Sequence, residues 1–165
     1  NDSRRFGAIF WTEADPLLHE RLVALGPEPL SELFSADYLF RASRGRKVAV
    51  KPFIMDANVV VGVGNIYASE ALFRAGISPL RQAGRISRKA YTQLARSVRE
   101  VLAEAIDAGG TTIRDFMDNE GRPGYFKQKL RVYGRAGEHC TACGSVIKQA
   151  RLGQRSTFYC VKCQK

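Results

Sequence analysis

Residues 140–163 read CTACGSVIKQARLGQRSTFYCVKC, and this stretch contains all four cysteines of the chain. They form two CxxC pairs, each of which supplies two thiolates from a tight turn, and the separation leaves room for one β-hairpin between the pairs. Four thiolates fill a tetrahedral coordination sphere and leave no position for water, so the metal is structural. The spacing therefore predicts one zinc ion, Zn, bound by Cys140, Cys143, Cys160 and Cys163.

Two other interpretations of the same residues remain open at this stage. The cysteines could form two disulfides, but nothing in the chain resembles a secreted protein, and an intracellular compartment keeps thiols reduced. His139 could replace one thiolate, although four well-spaced cysteines make that unnecessary. The turn of the hairpin is expected between about Gln149 and Gln154.

Charge is distributed unevenly along the 165 residues, whose formal net charge is +10. Residues 120–165 hold ten Lys or Arg and two acidic residues, which accounts for +8 of the total. A polyanion, and nucleic acid in particular, is the expected partner, with a solvated basic face as the alternative. No apolar run approaches the roughly 18 residues of a membrane span, so no membrane partner is expected.

The middle of the chain carries helical patterns. Residues 88–108 have apolar positions at helical spacing, with Ser87 as N-cap and Gly109-Gly110 as the stop, and the remaining face is expected to be an ordinary solvated surface. A short helix is capped by Ser35, and residues 48–55 suit a buried helix that tolerates Pro52 only near its first turn.

The stretch 59–70, VVVGVGNIYASE, combines glycines with a predicted helix start. Asn65 is predicted as the N-cap of a helix to Ala75, and the preceding glycines would let a phosphate approach the helix dipole. A glycine-rich turn joining two packed helices explains the same residues without a ligand.

Both flanks of the helical region read as extended or linking segments. FGAIFW at 6–11 suits a strand whose sheet is missing, residues 15–25 form a short amphipathic helix, and Gly26 to Pro29 form a stiff linker. Residues 130–133 alternate like a strand. The first residues lack an initiator Met, so the chain is expected to be cut from something longer.

Four stretches together carry a family resemblance: VVGVGNIYASEALFRAGI at 60–77, GGTTIRDF at 109–116, GRPGYFKQKLRVYGR at 121–135, and the cysteine segment. They resemble the C-terminal half of bacterial formamidopyrimidine-DNA glycosylase, which removes oxidised purines. The resemblance implies a mainly α fold with a helix-two-turns-helix domain at 31–128 and a β-hairpin zinc finger at 129–165. Residues 1–30 would be a remnant strand and linker of a missing β-sandwich domain.

The resemblance also implies DNA-binding residues. Lys51 and Asn65 would hold phosphates on either side of the damaged nucleotide, with Lys47 adding charge nearby. Arg155 at the hairpin tip would grip the same phosphates and donate a proton in the final elimination step. A generic basic finger residue is the alternative for Arg155.

Two further groups of residues come from the resemblance alone. Arg4 and Phe6 would belong to a wedge that enters the duplex when the lesion is flipped out, although a core aromatic beside a surface arginine fits them equally well. A loop closing over the flipped base would include Arg114, Gly121, Gly124 and Tyr125.

The catalytic nucleophile of the resembling family is the amine of an N-terminal proline, which forms a Schiff base with the sugar. Residue 1 here is Asn. We therefore expect a chain that binds double-stranded DNA containing an oxidised purine (8-oxoguanine or a formamidopyrimidine) or an abasic site but does not excise a base, within a parent glycosylase and AP lyase. A monomer in the bacterial cytoplasm, associated with the nucleoid, is expected. The alternatives are the sister branch for oxidised pyrimidines and a non-enzymatic zinc-ribbon module.

Overall fold

The computed structural model describes residues 9–110 and 126–165. Five α-helices and two strands lie in these ranges: α1 Glu20–Val23, α2 Ala36–Ser43, α3 Val50–Ile54, α4 Asn65–Arg74, α5 Arg88–Asp107, β1 Lys148–Leu152 and β2 Arg155–Tyr159. Short 3-10 turns occur at Pro16–Leu18, Ala83–Arg85 and Phe126–Lys129. The fold is mainly α with a C-terminal antiparallel hairpin, as the sequence predicted.

The longest helix, α5, follows the predicted pattern closely. The Ser87 hydroxyl accepts the N–H of Ala90 at 3.3 Å, and Gly109 and Gly110 leave the helix with φ of +69° and +89°. Its apolar stripe is buried against α2 and α4. No helix within the described ranges is long and apolar enough to cross a membrane.

The opposite face of α5 is not the plain solvated surface that the sequence suggested. The Arg99 guanidinium donates to the carbonyls of Pro29 and Ser31 at 3.1 and 2.8 Å and to that of Phe34. Glu104 accepts both terminal nitrogens of Arg74 at 2.6 Å. These charge-assisted hydrogen bonds fasten the 29–34 linker and α4 to α5.

Helices α3 and α4 are joined by the glycine-containing turn. Pro52 is the third residue of α3, where its missing N–H costs no helical hydrogen bond. The prediction that Asn65 caps α4 is wrong by one residue: Gly64 is the N-cap, and its carbonyl accepts the N–H of Ala68 at 2.9 Å. The Asn65 side chain is therefore free to act outside its own helix.

Two apolar clusters form the core. The larger one is built by α2 to α5, and the smaller one holds Phe73, Val132, Cys140, Ile147, Phe158 and Cys160. Phe73 extends from α4 into the smaller cluster. Residues 132–165 (the hairpin unit) therefore pack directly on the part of the chain formed by α2 to α5 (the helical unit). The domain boundaries after residues 30 and 128 stay predictions.

Of the sequence predictions at the flanks, the helix over 15–25 forms only in part, the strand at 6–11 stays a prediction, and the strand at 130–133 is wrong. The helix expected over 15–25 is a 3-10 turn followed by the four-residue α1, and Leu17 and Leu18 are over 70% exposed because no core lies beneath them. Residues 9–11 are not in a strand, and the rest of that predicted strand lies outside the described ranges. Residues 130–133 form a bend and turn, since their amides bond to a side chain.

Candidate metal centre and nucleic-acid interface

The four cysteine sulfurs converge on one point. All lie within 4.8 Å of one another, with Sγ–Sγ distances of 3.9 Å between Cys140 and Cys163 and 3.4 Å between Cys143 and Cys160. A tetrahedron with Zn–S bonds of about 2.3 Å requires sulfurs about 3.8 Å apart. All four cysteines are free thiols, so the residues fit a zinc ion and not the disulfide alternative.

Local hydrogen bonds shape the two cysteine turns. In the first turn the Gly144 N–H donates to the Cys140 carbonyl at 2.8 Å, and the hydroxyl and amide of Ser145 lower the pKa of Cys143, while hydrogen bonding to Cys143 raises the pKa of Cys163. A lowered pKa favours the thiolate, which is the form that binds metal. His139 lies outside the cluster, with Nδ1 at 2.9 Å from the Gly144 carbonyl oxygen.

Lys51 lies at the junction between the hairpin unit and helix α3. It is 1% exposed, and its Nζ donates to the Ser156 carbonyl and to the Thr157 hydroxyl, both at 2.9 Å. Burial lowers the pKa of Lys51 to about 8. An ammonium group has three donors, so two protein acceptors leave it one hydrogen bond short.

A small cavity opens beside this ammonium group. Its volume is about 280 Å³, and its walls come from α3 and the turn after it (Lys51, Pro52, Met55, Asp56) and from the hairpin tip (Leu152, Gly153, Gln154, Arg155). Asp56 Oδ1 accepts the N–H of Asn58 at 3.0 Å. Arg155 opens β2 directly after the two-residue turn and is exposed, so a buried and an exposed cation line the same cavity.

Asn65 also contacts the hairpin unit, through Tyr133. Its Nδ2 lies 3.4 Å from the Tyr133 hydroxyl, and its buried Oδ1 has no partner among the described residues. Rotating the amide by 180° would exchange the two atoms and leave the NH2 group unpaired. In either orientation one polar atom of Asn65 is unpaired among the described residues, while Tyr133 packs against Phe158 with ring centroids 5.1 Å apart.

Glu70 is an important residue that the sequence interpretation missed. It is 2% exposed, and its carboxylate accepts the backbone N–H groups of Arg131, Val132 and Tyr133 at 2.9, 3.0 and 2.8 Å. Three amides pointing at one carboxylate hold the segment that leads into the hairpin unit against α4. The sequence signal was a carboxylate within the apolar run of α4, a position where charge is rarely buried without partners.

The two C-terminal residues add further hydrogen bonds between the hairpin unit and the helical unit. The Gln164 side chain accepts the N–H of Cys160 and donates to the Ile77 carbonyl, both at 2.9 Å. Lys165 N donates to the Gly76 carbonyl at 3.0 Å. The second cysteine turn is thereby attached to the loop after α4, so the metal centre and the helical unit are mechanically linked.

The remaining predicted site residues are not part of this junction. Lys47 is exposed in the segment between α2 and α3. The other six lie outside the described residues: Arg4, Phe6, Arg114, Gly121, Gly124 and Tyr125. The structure therefore brings Lys51 and Arg155 to one cavity and places Asn65 beside Tyr133, and their roles toward DNA stay predictions.

Comparisons with known proteins agree with this architecture. The profile described as formamidopyrimidine-DNA glycosylase H2TH domain matches residues 25–117, and that of the zinc finger found in FPG and IleRS matches residues 137–165. The second match and the four-cysteine cluster confirm the predicted structural zinc. A curated relative named formamidopyrimidine-DNA glycosylase, from Ectopseudomonas mendocina (strain ymp), is 60% identical over 164 residues, covering 99% of this chain and 60% of the relative.

Solved structures show the same fold. The crystal structure of MutM (Fpg) from Thermus thermophilus superposes with a TM-score of 0.91 at 41% identity, covering 99% of this chain and 62% of that one. The complex of Lactococcus lactis Fpg with abasic-site DNA gives 0.80 at 33% identity, covering 86% and 52%. The chain spans about 60% of the length of the curated relatives that it matches. On the profile match over more than half of its residues, the chain belongs to the formamidopyrimidine-DNA glycosylase family.

Proposed function

We propose that this chain is the DNA-binding part of a base-excision-repair glycosylase, and that it grips the phosphate backbone beside a damaged nucleotide. The observation that carries the proposal is the cavity of about 280 Å³ lined by the buried Lys51 and the exposed Arg155. A buried cation with an unused donor is costly unless an anion completes its coordination. A DNA phosphate fits that description, and the solved relative Lactococcus lactis Fpg is in complex with DNA that contains an abasic site.

Each side chain has a distinct part in this proposal. Lys51 supplies a fixed donor, held in place by two hairpin oxygens. Arg155 supplies a planar fork of donors suited to a phosphate, and Asn65, with its amide rotated so that the NH2 group is unpaired, would donate to a neighbouring phosphate. Lys47 adds charge on the exposed surface nearby.

Zinc has a structural part only. When bound, it fixes the two cysteine turns and so the hairpin between them, and four thiolates leave it no position for substrate. The hairpin in turn provides the acceptors of Lys51 and carries Arg155 at its tip. Loss of zinc should therefore abolish the phosphate site without removing any of its side chains.

The finer parts of the function extend the same proposal. Oxidised purines are the proposed lesions, since the matched relatives are named formamidopyrimidine-DNA glycosylase. Arg155 would donate a proton in the elimination step of an AP lyase reaction, which its exposed position allows. The 165 residues would bind DNA without excising a base, since they span only about 60% of the length of the relatives named as glycosylases. A monomer associated with the bacterial nucleoid in the cytoplasm accords with such a partner.

The test compares two arginines of the hairpin. Arg155→Ala and the control Arg151→Ala each remove one exposed guanidinium, but Arg151 lies outside the cavity, opposite Ser156 in the ladder. Affinity is measured for a duplex containing an abasic-site analogue. Loss of one charge-assisted contact of about 1.5–3 kcal/mol predicts roughly 10- to 150-fold weaker binding for Arg155→Ala and little change for the control. Equal affinities of the two variants would refute the proposed site.

Excision is tested on the same duplex format. The 165-residue chain is incubated with DNA containing 8-oxoguanine or a formamidopyrimidine, and the strand is analysed for base release and cleavage. We expect binding without either product. Release of the base by this chain would refute the proposal that it binds without excising.

A further inference from the structure

A second concentration of positive charge lies on the helical unit, away from the zinc centre. The segments 41–47 (RASRGRK) and 81–89 (RQAGRISRK) contain eight Lys or Arg and no acidic residue. They lie side by side, because Gly84 N donates to the Arg46 carbonyl at 3.0 Å and Ala83 N to the Val48 carbonyl at 2.9 Å. A Cβ on Gly84 would come within 2.8 Å of the Arg46 carbonyl oxygen, so close contact of the two segments requires glycine there. We call segments 41–47 and 81–89 the second basic surface.

Little within the described residues neutralises this surface. Asp37 forms an ion pair with Arg88, and it is the one carboxylate paired with these segments in the ranges 9–110 and 126–165. Both members of that pair are more than half exposed, so solvent screens it. The second basic surface thus keeps a large positive excess, which repels itself unless an anionic partner is present.

Two of the arginines are held in fixed positions. The Arg44 and Arg88 guanidinium carbons lie 4.0 and 4.9 Å from the centre of the Phe40 ring. Arg44 also donates to the Ile86 carbonyl at 2.9 Å and to the Ser43 hydroxyl at 2.8 Å. Their positions are therefore set before any ligand arrives, while Arg46, Arg85 and Lys89 remain exposed around them.

Counting charge along the sequence conceals this surface. Residues 1–119 contain sixteen basic and fourteen acidic residues, which is nearly balanced, yet residues 41–89 alone contain ten basic residues and only Asp56 and Glu70 as acids. Folding then buries Glu70 beneath the hairpin unit. Residues 41–89 of the helical unit therefore carry as many basic and acidic residues as the C-terminal segment 120–165, ten and two in each.

The second basic surface adjoins the start of α3, which carries Lys51 of the cavity. Val50 N donates to the Arg81 carbonyl at 2.8 Å and Lys51 N to the Pro79 carbonyl at 3.4 Å, so the chain from Arg46 to Lys51 runs beside 79–84. Five residues span at most roughly 17 Å. That upper limit corresponds to at most about five base pairs of duplex, at about 3.4 Å per step along a strand.

We propose that the second basic surface binds the sugar–phosphate backbone of duplex DNA within about five base pairs of the Lys51–Arg155 cavity, and raises affinity without recognising either the lesion or the sequence. This inference rests on the proposed function, because it assigns the same polyanion to a second site. Phosphate contacts of this kind position a protein on a duplex and carry no base information.

The test removes charge from exposed positions only. The variant Arg46→Gln/Arg85→Gln/Lys89→Gln leaves the packed Arg44 and Arg88 unchanged. The control Arg21→Gln/Arg96→Gln/Lys129→Gln removes the same three charges from exposed residues elsewhere. Affinities of both variants, the unchanged chain and Arg155→Ala are measured for a duplex two helical turns long, with and without an abasic-site analogue. Two salt concentrations are used, about 50 and 200 mM.

The slope of log affinity against log salt is negative, and loss of three phosphate contacts makes it less negative by about 2.7. Between these salt concentrations the unchanged chain should therefore lose about 40-fold more affinity than the surface variant. We expect that reduction on both duplexes alike, with the preference for the abasic duplex retained. A surface variant that keeps the slope of its control would overturn the inference.

The arms separate this inference from the proposed function. If Arg155→Ala keeps the full affinity and preference for the abasic duplex while the surface variant loses slope, the cavity proposal fails and the second basic surface stands. If the reverse holds, the second basic surface fails and the cavity stands. No binding of the unchanged zinc-loaded chain to either duplex would overturn both.

Discussion

Replacing Glu70 should cost more stability than any other single polar change at the junction. In Glu70→Gln the side chain keeps its length but presents an NH2 group to amides that are themselves donors. In the unchanged chain the Glu70 carboxylate accepts three N–H groups at 2.8–3.0 Å, and Glu70 is only 2% exposed. Hydrogen bonds to a charged group contribute about 1.5–3 kcal/mol each, and loss of buried charge offsets part of that sum. We expect a loss of about 3–5 kcal/mol in the free energy of unfolding.

Urea unfolding of the zinc-loaded chain measures this loss. The control is Glu100→Gln, because Glu100 pairs with Arg96 at 2.6 Å but the two side chains are 40% and 73% exposed. Such a pair contributes at most about 0.5 kcal/mol. Hydrogen exchange at residues 131–133 should accelerate in Glu70→Gln and not in the control. A loss below about 1 kcal/mol, with unchanged exchange at those amides, would refute the view that Glu70 joins the two units.

Three further changes test other parts of the structure. Cys160→Ser should abolish stoichiometric zinc binding by elemental analysis and unfold the hairpin unit by circular dichroism, whereas one zinc per variant chain would contradict the four-thiolate site. Burial lowers the pKa of Lys51 from 10.5 to about 8, so between these values the unfolded chain holds a proton that the folded chain has lost, and stability rises with pH. The free energy of unfolding of the unchanged chain relative to Lys51→Met should therefore increase by roughly 2–3 kcal/mol from about pH 7 to about pH 10, and a constant difference would show that Lys51 is not desolvated. Gly26→Ala places a Cβ against the Val59 carbonyl group and within 2.8 Å of the Val60 nitrogen, whereas Gly64→Ala meets nothing within 4 Å. The first should cost at least about 3 kcal/mol and the second less than about 1 kcal/mol; similar melting temperatures would contradict the close contact.

Features with strong local signals could be predicted from the sequence. Helix α5 was predicted because Ser87, the apolar stripe and Gly109-Gly110 each act within one turn of their own position. The zinc site was predicted because two short CxxC pairs have few other uses inside cells. The hairpin turn at Gly153-Gln154 falls within the predicted interval.

Features that depend on distant partners could not be predicted in the same way. Glu70 is 61 residues from Arg131, and Lys51 is 105 residues from Ser156, so nothing nearby in sequence indicates either contact. Lys51 was predicted as a charged DNA contact, but its burial between α3 and the hairpin has no local signature. Likewise the alternation at residues 130–133 suggested a strand, because the sequence does not show that a carboxylate takes their amides.

The helix predicted over residues 15–25 failed for a related reason. Its leucines have the correct spacing, but spacing stabilises a helix only when the apolar face packs on something. Leu17, Leu18 and Val23 are 65–72% exposed. The predicted N-cap of α4 is one residue too late, because Gly64 and Asn65 are both good cap residues. The first helical hydrogen bond is accepted by the Gly64 carbonyl, which makes Gly64 the N-cap.

The measurement that tests the central claim most directly is an NMR titration of the zinc-loaded chain with a duplex containing an abasic-site analogue, observing the Nζ resonance of Lys51 and the Nε resonance of Arg155. If one phosphate enters the cavity that these residues line, both resonances shift together and saturate at one equivalent, and the Lys51 pKa rises from about 8 because an anion now stabilises its charge. Tight binding that leaves both resonances unchanged would contradict the claim that the zinc-organised junction holds the DNA backbone.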